Sequence, residues 1–200
     1  ADILPLPVDF FGEPGSYHFI HASPPCTEFS QAKTTGTRNL ELADRIVKHT
    51  LKIISFLKPL WYSLENPQSG LLKNRDYMKD LKFKDTSYCR YGTPYKKNTR
   101  FWTNIDHWNP LKCEALCWSI ARKSTGRMAH LASSQKGPSR TSRGHRDDDN
   151  FRVSELYIIP PLLVESLCEA ISAQSLVVER PVSRFSNLSH DAIGSGDDEE

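Results

Sequence analysis

This 200-residue chain lacks long apolar runs, and it lacks the even number of cysteines that a set of disulfides would need. No stretch approaches the ~20 consecutive apolar residues that a membrane-spanning helix needs, so we expect no membrane partner. The cysteines are odd in number, five, and unevenly spaced, which disfavours a disulfide scaffold and favours a reduced, intracellular protein. The apolar fraction of 38% still suffices for the core of one domain.

The net charge of the chain is only +2, so neither sign predominates overall. The charges are nevertheless segregated along the sequence. From Arg122 to Arg146 the chain holds seven Lys or Arg residues and no Asp or Glu, and three aspartates follow at once. A basic stretch rich in Ser and Gly predicts contact with nucleic-acid phosphates. A solvated loop is the alternative, and the two interpretations are compatible because such loops can become ordered on nucleic acid.

The hydrophobic periodicity predicts alternating strands and helices. The segment 40–57 carries an apolar stripe at steps of three and four, which indicates a helix that Pro59 ends. The other predictions are strands at 17–22 and 61–67, a weaker helix at about 69–80, two strands around a Gly-Pro turn within 86–104, and an extended piece followed by a Pro-Pro break and a helix within 154–174. This alternation predicts a parallel sheet with helices on its faces.

Cys26 lies in an unusually stiff frame. Each proline of Ser23-Pro24-Pro25 fixes its own φ and pushes the preceding residue toward extended geometry, so the loop aims Cys26 in one direction. An inert cysteine in a prolyl turn is the alternative for this tripeptide alone. However, the next predicted strand ends in Glu65-Asn66-Pro67. Strand ends meet at one edge of an open α/β sheet, so a nucleophile and an acidic partner are predicted there.

These motifs resemble those of the DNA (cytosine-5)-methyltransferases, in particular the compact forms of phages and eukaryotic viruses. The stretch PPCTEFS at 24–30 is similar to the family's motif IV, and ENP at 65–67 is similar to motif VI. Asp2-Ile3 is similar to motif III, an Asp-Ile pair that closes a strand. Motif VIII is altered in YGTPYKKNTRFWTN at 91–104, and LYIIPPLLVESLCEA at 156–170 is similar to the closing element of compact members.

The resemblance implies an α/β fold: a Rossmann-like sheet of the S-adenosylmethionine-dependent methyltransferases, incomplete at its N-terminal side. It implies a catalytic domain at 1–104, a short, irregular, basic target-recognition region at 105–150, a closing strand-helix element at 151–174 and a disordered acidic tail at 175–200. The family's Phe-x-Gly-x-Gly cofactor loop would precede residue 1. We therefore expect a C-terminal part with a separate or missing N-terminal segment, which on its own turns over poorly.

The resemblance also implies residue roles. Cys26 would attack C6 of a cytosine flipped out of double-stranded DNA, and Glu65 would bond N3 and the exocyclic amine. Lys97 stands where motif VIII has its first Arg, and Arg100 lies one place beyond the second. Lys97 would keep a positive charge near the base or a phosphate but lacks the forked donor set of Arg.

S-adenosyl-L-methionine is the cofactor that the resemblance implies, with contacts from Asp2, Ile3 and Pro24. The compartment would be a host cytoplasm for a phage or bacterial source and the nucleus for a eukaryotic one. One alternative is an inactive or split methyltransferase that acts only as a DNA-binding module. A cysteine hydrolase is another class, but it would need a histidine base beside Cys26 and would have no use for ENP.

Histidines and the remaining cysteines give weaker signals. His18 and His21 lie within the first predicted strand, beside the PPC loop, and their alternation favours packing or a surface position over a general-base role. Cys113-x-x-x-Cys117 could supply zinc ligands together with scattered histidines, namely His107, His130 and His145. Two ordinary thiols in a recognition loop are the favoured interpretation, so no metal site is predicted.

Overall fold

The computed structural model describes residues 2–31, 33, 36–115, 117–122, 126–131 and 156–175. Its strands are β1 (Phe19–Ala22), β2 (Trp61–Pro67), β3 (Phe83–Ser87), β4 (Asn98–Thr103), β5 (Ile120–Arg122) and β6 (Met128–His130). Its α-helices are α1 (Leu40–Leu57) and α2 (Pro161–Ser175), and short 3-10 helices span Val8–Phe11, Leu71–Asn74, Asp76–Met78 and Tyr88–Tyr91.

The main sheet is mixed, with the strand order β1-β2-β4-β3. β1 and β2 are parallel and joined by α1, as the alternation of strand and helix predicted. The prediction of a parallel sheet is wrong for the rest, because β4 runs antiparallel to both β2 and β3. The connection 88–97 between β3 and β4 is too short for the crossover that parallel strands require.

Helix α1 covers one face of this sheet, and its prediction at 40–57 is confirmed. The side chain of Asn39 accepts a hydrogen bond from the Leu42 backbone N–H at 2.9 Å and caps the first turn. The helix ends at Lys58, which has a left-handed φ of 47° and precedes Pro59. Its apolar stripe packs into a core cluster with residues of the sheet and the 3-10 turns, which comprises Phe29, Ala43, Val47, Leu51, Leu64, Leu72, Met78, Leu81 and Trp102.

The predicted weaker helix at 69–80 is wrong, because the segment forms two 3-10 turns. Arg75, between the turns, is extended, with φ −76° and ψ 137°. Its guanidinium makes a two-point ion pair with the Asp44 carboxylate on α1, and the Tyr77 hydroxyl donates to the same carboxylate at 2.5 Å. These charge-assisted bonds hold Arg75 outside helical geometry.

A second core cluster lies on the opposite face of the sheet, under α2. Its buried members are Trp61, Tyr88, Tyr91, Tyr95, Phe101, Ile105, Trp108, Leu163 and Leu167. The predicted helix after the Pro-Pro break is confirmed by α2, which begins at Pro161. Alternation along β2 explains both cores, because successive side chains point to opposite faces of a sheet. The sheet is therefore covered by a helix on each face.

β5 and β6 form a separate antiparallel hairpin in the region that lacked periodicity. Most of the predicted basic stretch, residues 154–155 and residues 176–200 of the predicted tail lie outside the described residues. The extended piece predicted before the Pro-Pro break is not confirmed, because its described residues, 156–159, contain a turn and a bend and no strand. Within the described segments, neither α1 nor α2 combines the length and the apolar character needed to traverse a bilayer.

Candidate active site at the carboxyl edge of the sheet

The two motif-bearing loops meet at one edge of the sheet, as predicted. β1 and β2 pair in parallel with Ala22 opposite Leu64, so both chains leave the sheet on the same side. The buried Asn66 side chain donates to the Pro24 carbonyl oxygen at 3.0 Å and ties the loops together. Gly70 packs so closely that an added Cβ would lie 3.1 Å from the Pro67 carbonyl oxygen. A side chain at this position would therefore push the loops apart.

Glu65 is the buried acid of the site, with only 4% of its surface exposed. Its Oε2 accepts a hydrogen bond from the Ser23 hydroxyl at 2.6 Å, and its Oε1 accepts one from the Tyr88 hydroxyl at 3.2 Å. Burial, with the Glu65 carboxylate close by, raises the pKa of Tyr88, so this phenol stays a hydrogen-bond donor. The carboxyl group is therefore held in one orientation from two sides.

Sequence reasoning missed both of these partners. Ser23 was assigned only a role in stiffening the loop, although a hydroxyl beside a buried strand end was a visible signal. Tyr88 carried no signal, because the 3-10 helix that positions it was not predicted. Its nearness to Glu65 depends on the antiparallel insertion of β4 between β2 and β3.

Lys97 lies in the site, where the altered motif VIII predicted it. Its Nζ is 3.7 Å from Glu65 Oε1, lies 4.6 Å from the Tyr88 ring centroid, and donates to the Leu156 carbonyl oxygen at 2.9 Å. Lys97 therefore connects the acid to the segment that leads into α2. Its ammonium also places a positive charge next to the carboxylate.

Arg100 serves a different role from Lys97. Its guanidinium binds Asp85 on the neighbouring strand at two points, Nε to Oδ1 at 2.7 Å and a terminal nitrogen to Oδ2 at 3.0 Å. It also lies 3.5 Å from the Phe83 ring centroid. Alternation along β4 places it on the face opposite Phe101, which packs beneath α2. Arg100 therefore joins β3 to β4.

Cys26 is partly exposed at this edge. Desolvation raises the pKa of its thiol, the positive charge of Lys97 lowers it, and the negative charge of Glu65 raises it again. The thiol is consequently protonated for most of the time at neutral pH, and Lys97 is the group that favours its thiolate. A reachable sulfur beside an anchored acid suits nucleophilic attack on an electron-poor ring.

His21 is tied into the sheet, as its alternation favoured. Its Nδ1 lies 2.7 Å from the Ser63 hydroxyl, and its ring centroid is 6.2 Å from that of Phe101. This hydrogen bond orients the ring along the strand. The arrangement offers no support for a thiol hydrolase that would use His21 as the base of Cys26.

A cavity of about 610 Å³ opens on the same edge, between β1 and α1. The three predicted cofactor contacts, Asp2, Ile3 and Pro24, all line it. Asp2 and Ile3 were predicted to close a strand, but they do not lie in one. The Leu6 backbone N–H instead donates to the Ile3 carbonyl oxygen at 3.1 Å, which curls the segment into a turn. Several isoleucines wall the cavity, and one carboxylate is at its rim. Polar side chains of His21, Ser23 and Thr50 also line it. Mostly apolar walls with a few polar groups suit a flat heterocycle and its attached sugar.

A second cluster of reactive side chains includes Cys89, the residue after Tyr88. Cys89, Cys113, Cys117 and His130 bring one sulfur or nitrogen each to within 4.8 Å of one another. Sequence reasoning weighed three of these four residues as zinc ligands and missed Cys89. His145 lies outside the described residues.

Comparison with known proteins gives one relevant relative. Over 173 aligned residues the chain is 28% identical to a probable DNA (cytosine-5)-methyltransferase of Frog virus 3 (isolate Goorha). The alignment covers 78% of this chain and 77% of the relative. No family model matches the chain. The relationship supports the family that the motifs indicate, and the mixed α/β sheet is compatible with a methyltransferase fold.

Proposed function

From this relationship to a DNA (cytosine-5)-methyltransferase, we propose that the chain methylates C5 of cytosine in double-stranded DNA through a covalent bond to Cys26. The observation that carries the proposal is the meeting of the Cys26 loop with Glu65, which Ser23 and Tyr88 hold in place. We also assign the β1-β2-β4-β3 sheet to the Rossmann-like methyltransferase fold. The parallel pair joined by α1, with an antiparallel strand beside it, supports that assignment.

Cytosine C5 is a poor nucleophile, and the reaction must first make it electron-rich. The Cys26 thiolate forms a bond to C6, and the electron pair of the C5–C6 double bond moves onto C5 and the ring. The carboxyl group of Glu65 bonds N3 and the exocyclic amine, which stabilises the charge that develops on the ring. Ser23 and Tyr88 prevent this carboxyl group from turning away.

Electron-rich C5 then takes the methyl group. S-adenosyl-L-methionine supplies an electrophilic methyl group when it is bound, and Asp2, Ile3 and Pro24 line the cavity that would hold its nucleoside. Loss of the C5 proton returns an electron pair to the C5–C6 bond, which breaks the bond between sulfur and C6 and restores the thiolate. Water accepts the C5 proton, and S-adenosyl-L-homocysteine would remain where the methyl group came from, so C5 gains one methyl group and loses one proton.

The target base must leave the helical stack, because C6 is covered by its neighbours in a duplex. Lys97 lies at the entrance between the sheet edge and the segment before α2, where it can bind the base or a phosphate. Its single ammonium gives charge without the two-point geometry of Arg. The predicted basic region at 105–150 would supply further phosphate contacts.

A trapping experiment tests the covalent mechanism. Duplex DNA carrying 5-fluorocytosine blocks the loss of the C5 substituent, so the enzyme should stay attached to it when S-adenosyl-L-methionine is present. We expect a denaturation-resistant adduct with the parent chain and with Cys168→Ser, which alters an exposed cysteine on α2. Cys26→Ser should give no adduct.

Two results would contradict the proposal. An undiminished adduct in Cys26→Ser would move the nucleophile to another residue. A folded parent chain that binds the duplex but forms no adduct would favour the alternative, an inactive or split methyltransferase that acts only as a DNA-binding module.

A further inference from the structure

We propose that Cys89, Cys113, Cys117 and His130 bind a structural zinc ion that fastens the β5–β6 hairpin to the catalytic sheet. The four residues come from three separate segments: the 3-10 helix after β3, the loop at 113–117 and the last residue of β6. Three thiolates and one imidazole form one of the common donor sets of structural zinc sites. This inference does not depend on the proposed reaction.

The distances between the donor atoms match a tetrahedron around zinc. With Zn–S bonds of about 2.3 Å and a Zn–N bond of about 2.0–2.1 Å, the tetrahedral edges are about 3.8 Å between sulfurs and about 3.6 Å from sulfur to nitrogen. The Sγ atoms of Cys113 and Cys117 are 3.7 Å apart, and His130 Nε2 lies 3.5 Å and 3.2 Å from them. Cys89 completes the set.

The surroundings orient the ligands as a metal site requires. Cys89 and Cys117 are buried, while Cys113 and His130 are partly exposed, so the site is closed to solvent on one side. The Ser119 hydroxyl lies 3.2 Å from Cys117 Sγ, and the Cys113 backbone N–H donates to the Ser87 hydroxyl at 3.1 Å. Hydrogen bonds of this kind around the ligands strengthen metal binding.

The hairpin also needs an external fastening. Its strands are three residues long, and an isolated two-stranded hairpin is at best marginally stable in water. Large apolar side chains are exposed here, since Met128 in β6 is 54% exposed and Trp118, just before β5, is 61% exposed. Small elements without a core of their own are commonly held by a metal or a disulfide.

Zinc suits this donor set better than other metals. Soft thiolates and an imidazole in a tetrahedral arrangement select zinc, whereas calcium and magnesium require oxygen ligands. With all four positions filled by protein atoms, the ion has no open position for a substrate or water, so its role is structural.

The test begins with metal content. The parent chain, purified under reducing conditions without chelator, should contain about one zinc ion per chain by mass spectrometry of the metal. Replacement by cobalt should produce the intense visible bands of a tetrahedral site and a thiolate-to-cobalt charge-transfer band. Cys113→Ser should lower the metal affinity by about tenfold or more, whereas Cys168→Ser should leave it unchanged.

Limited proteolysis keeps the test independent of misfolding in the variants. Trypsin cleaves after Arg122, the last residue of β5, and after Arg127, the residue before β6. Removal of zinc from the parent chain by a chelator should expose these two sites while the far-ultraviolet circular dichroism of the sheet and helices persists, and added zinc should protect them again.

Three outcomes would overturn the zinc site. One is a parent chain that stays free of zinc and gives only the weak spectrum of hydrated cobalt. Another is a Cys113–Cys117 disulfide found by mass under reducing conditions. The third is equal zinc affinity of the parent and of Cys113→Ser, measured in competition with a chelator, which would place the metal elsewhere.

Discussion

The active-site edge and the cysteine–histidine cluster are connected through the 3-10 helix of Tyr88 and Cys89 and are built in opposite ways. At the edge, Cys26 and Glu65 follow strands of a sheet that has a core on each face, so the packing holds the reactive groups. In the cluster, the 3-10 helix of Cys89 belongs to the core through Tyr88 and Tyr91, whereas the β5–β6 hairpin contributes no residue to either core cluster. The four ligand atoms bring these segments together. In the cluster, the metal ligands would hold the packed segments together.

This difference predicts which measurements respond to a mutation. A change at the edge should alter chemistry and leave the fold intact, because the strands do not depend on the site residues. A change at the cluster should alter local order first. Tyr88 and Cys89 are consecutive, so loosening the cluster can reach the active site through the 3-10 helix that carries both.

The largest effect is expected for Glu65→Gln. The amide can make the same pair of hydrogen bonds to N3 and the exocyclic amine but cannot transfer a proton to N3, so single-turnover methylation should fall by about 10²- to 10⁴-fold. Thermal unfolding should change little. Glu41→Gln, an exposed acid in the first turn of α1, is the matched control and should keep parent activity. Near-parent methylation by Glu65→Gln would remove Glu65 from the mechanism.

A side chain of the main core should contribute more to stability than one on the β5–β6 hairpin. Leu64 is fully buried in the core between the sheet and α1, so Leu64→Ala should lower the free energy of unfolding by about 2–5 kcal/mol. Met128 on the hairpin is largely exposed, and Met128→Ala should change the free energy of unfolding by less than about 0.5 kcal/mol. Urea denaturation followed by circular dichroism measures both. Equal losses would show that the hairpin unfolds as part of the main core.

The active-site edge could be predicted because its signals are local. The apolar period of α1, the strands on either side of it and the prolines before Cys26 fix a parallel pair whose ends meet. Each of these features depends on neighbours along the chain. The positions of Cys26 and Glu65 followed from them without knowledge of the rest of the fold.

The remaining features depend on contacts between distant parts of the chain. Periodicity cannot tell a parallel from an antiparallel strand, so the insertion of β4 was missed, and with it the approach of Tyr88 to Glu65. Arg75 is held extended by Asp44, 31 positions away, which overrode the helical pattern at 69–80. Cys89 is likewise far in sequence from Cys113, and only the fold brings their sulfurs together.

The smallest effect concerns Lys97 and the pH dependence of adduct formation. The reactive species is the Cys26 thiolate, so the rate should rise with pH until the thiol is fully ionised. Burial raises the pKa of Cys26 and the Lys97 charge lowers it, so Lys97→Met should raise this pKa further and move the profile to higher pH. A partly exposed charge of this kind contributes about 1 kcal/mol or less, which corresponds to a roughly fivefold lower rate at neutral pH.

Lys97→Arg is the matched variant, because it keeps the charge and should keep the parent profile within about twofold. Single-turnover adduct formation, followed from neutral to mildly alkaline pH, distinguishes the two variants. Loss of rate in Lys97→Met that alkaline pH restores would show that the lysine acts through the ionisation of Cys26. A uniform loss at every pH would contradict this and would assign Lys97 to binding of the base or to its contact with the Leu156 carbonyl oxygen.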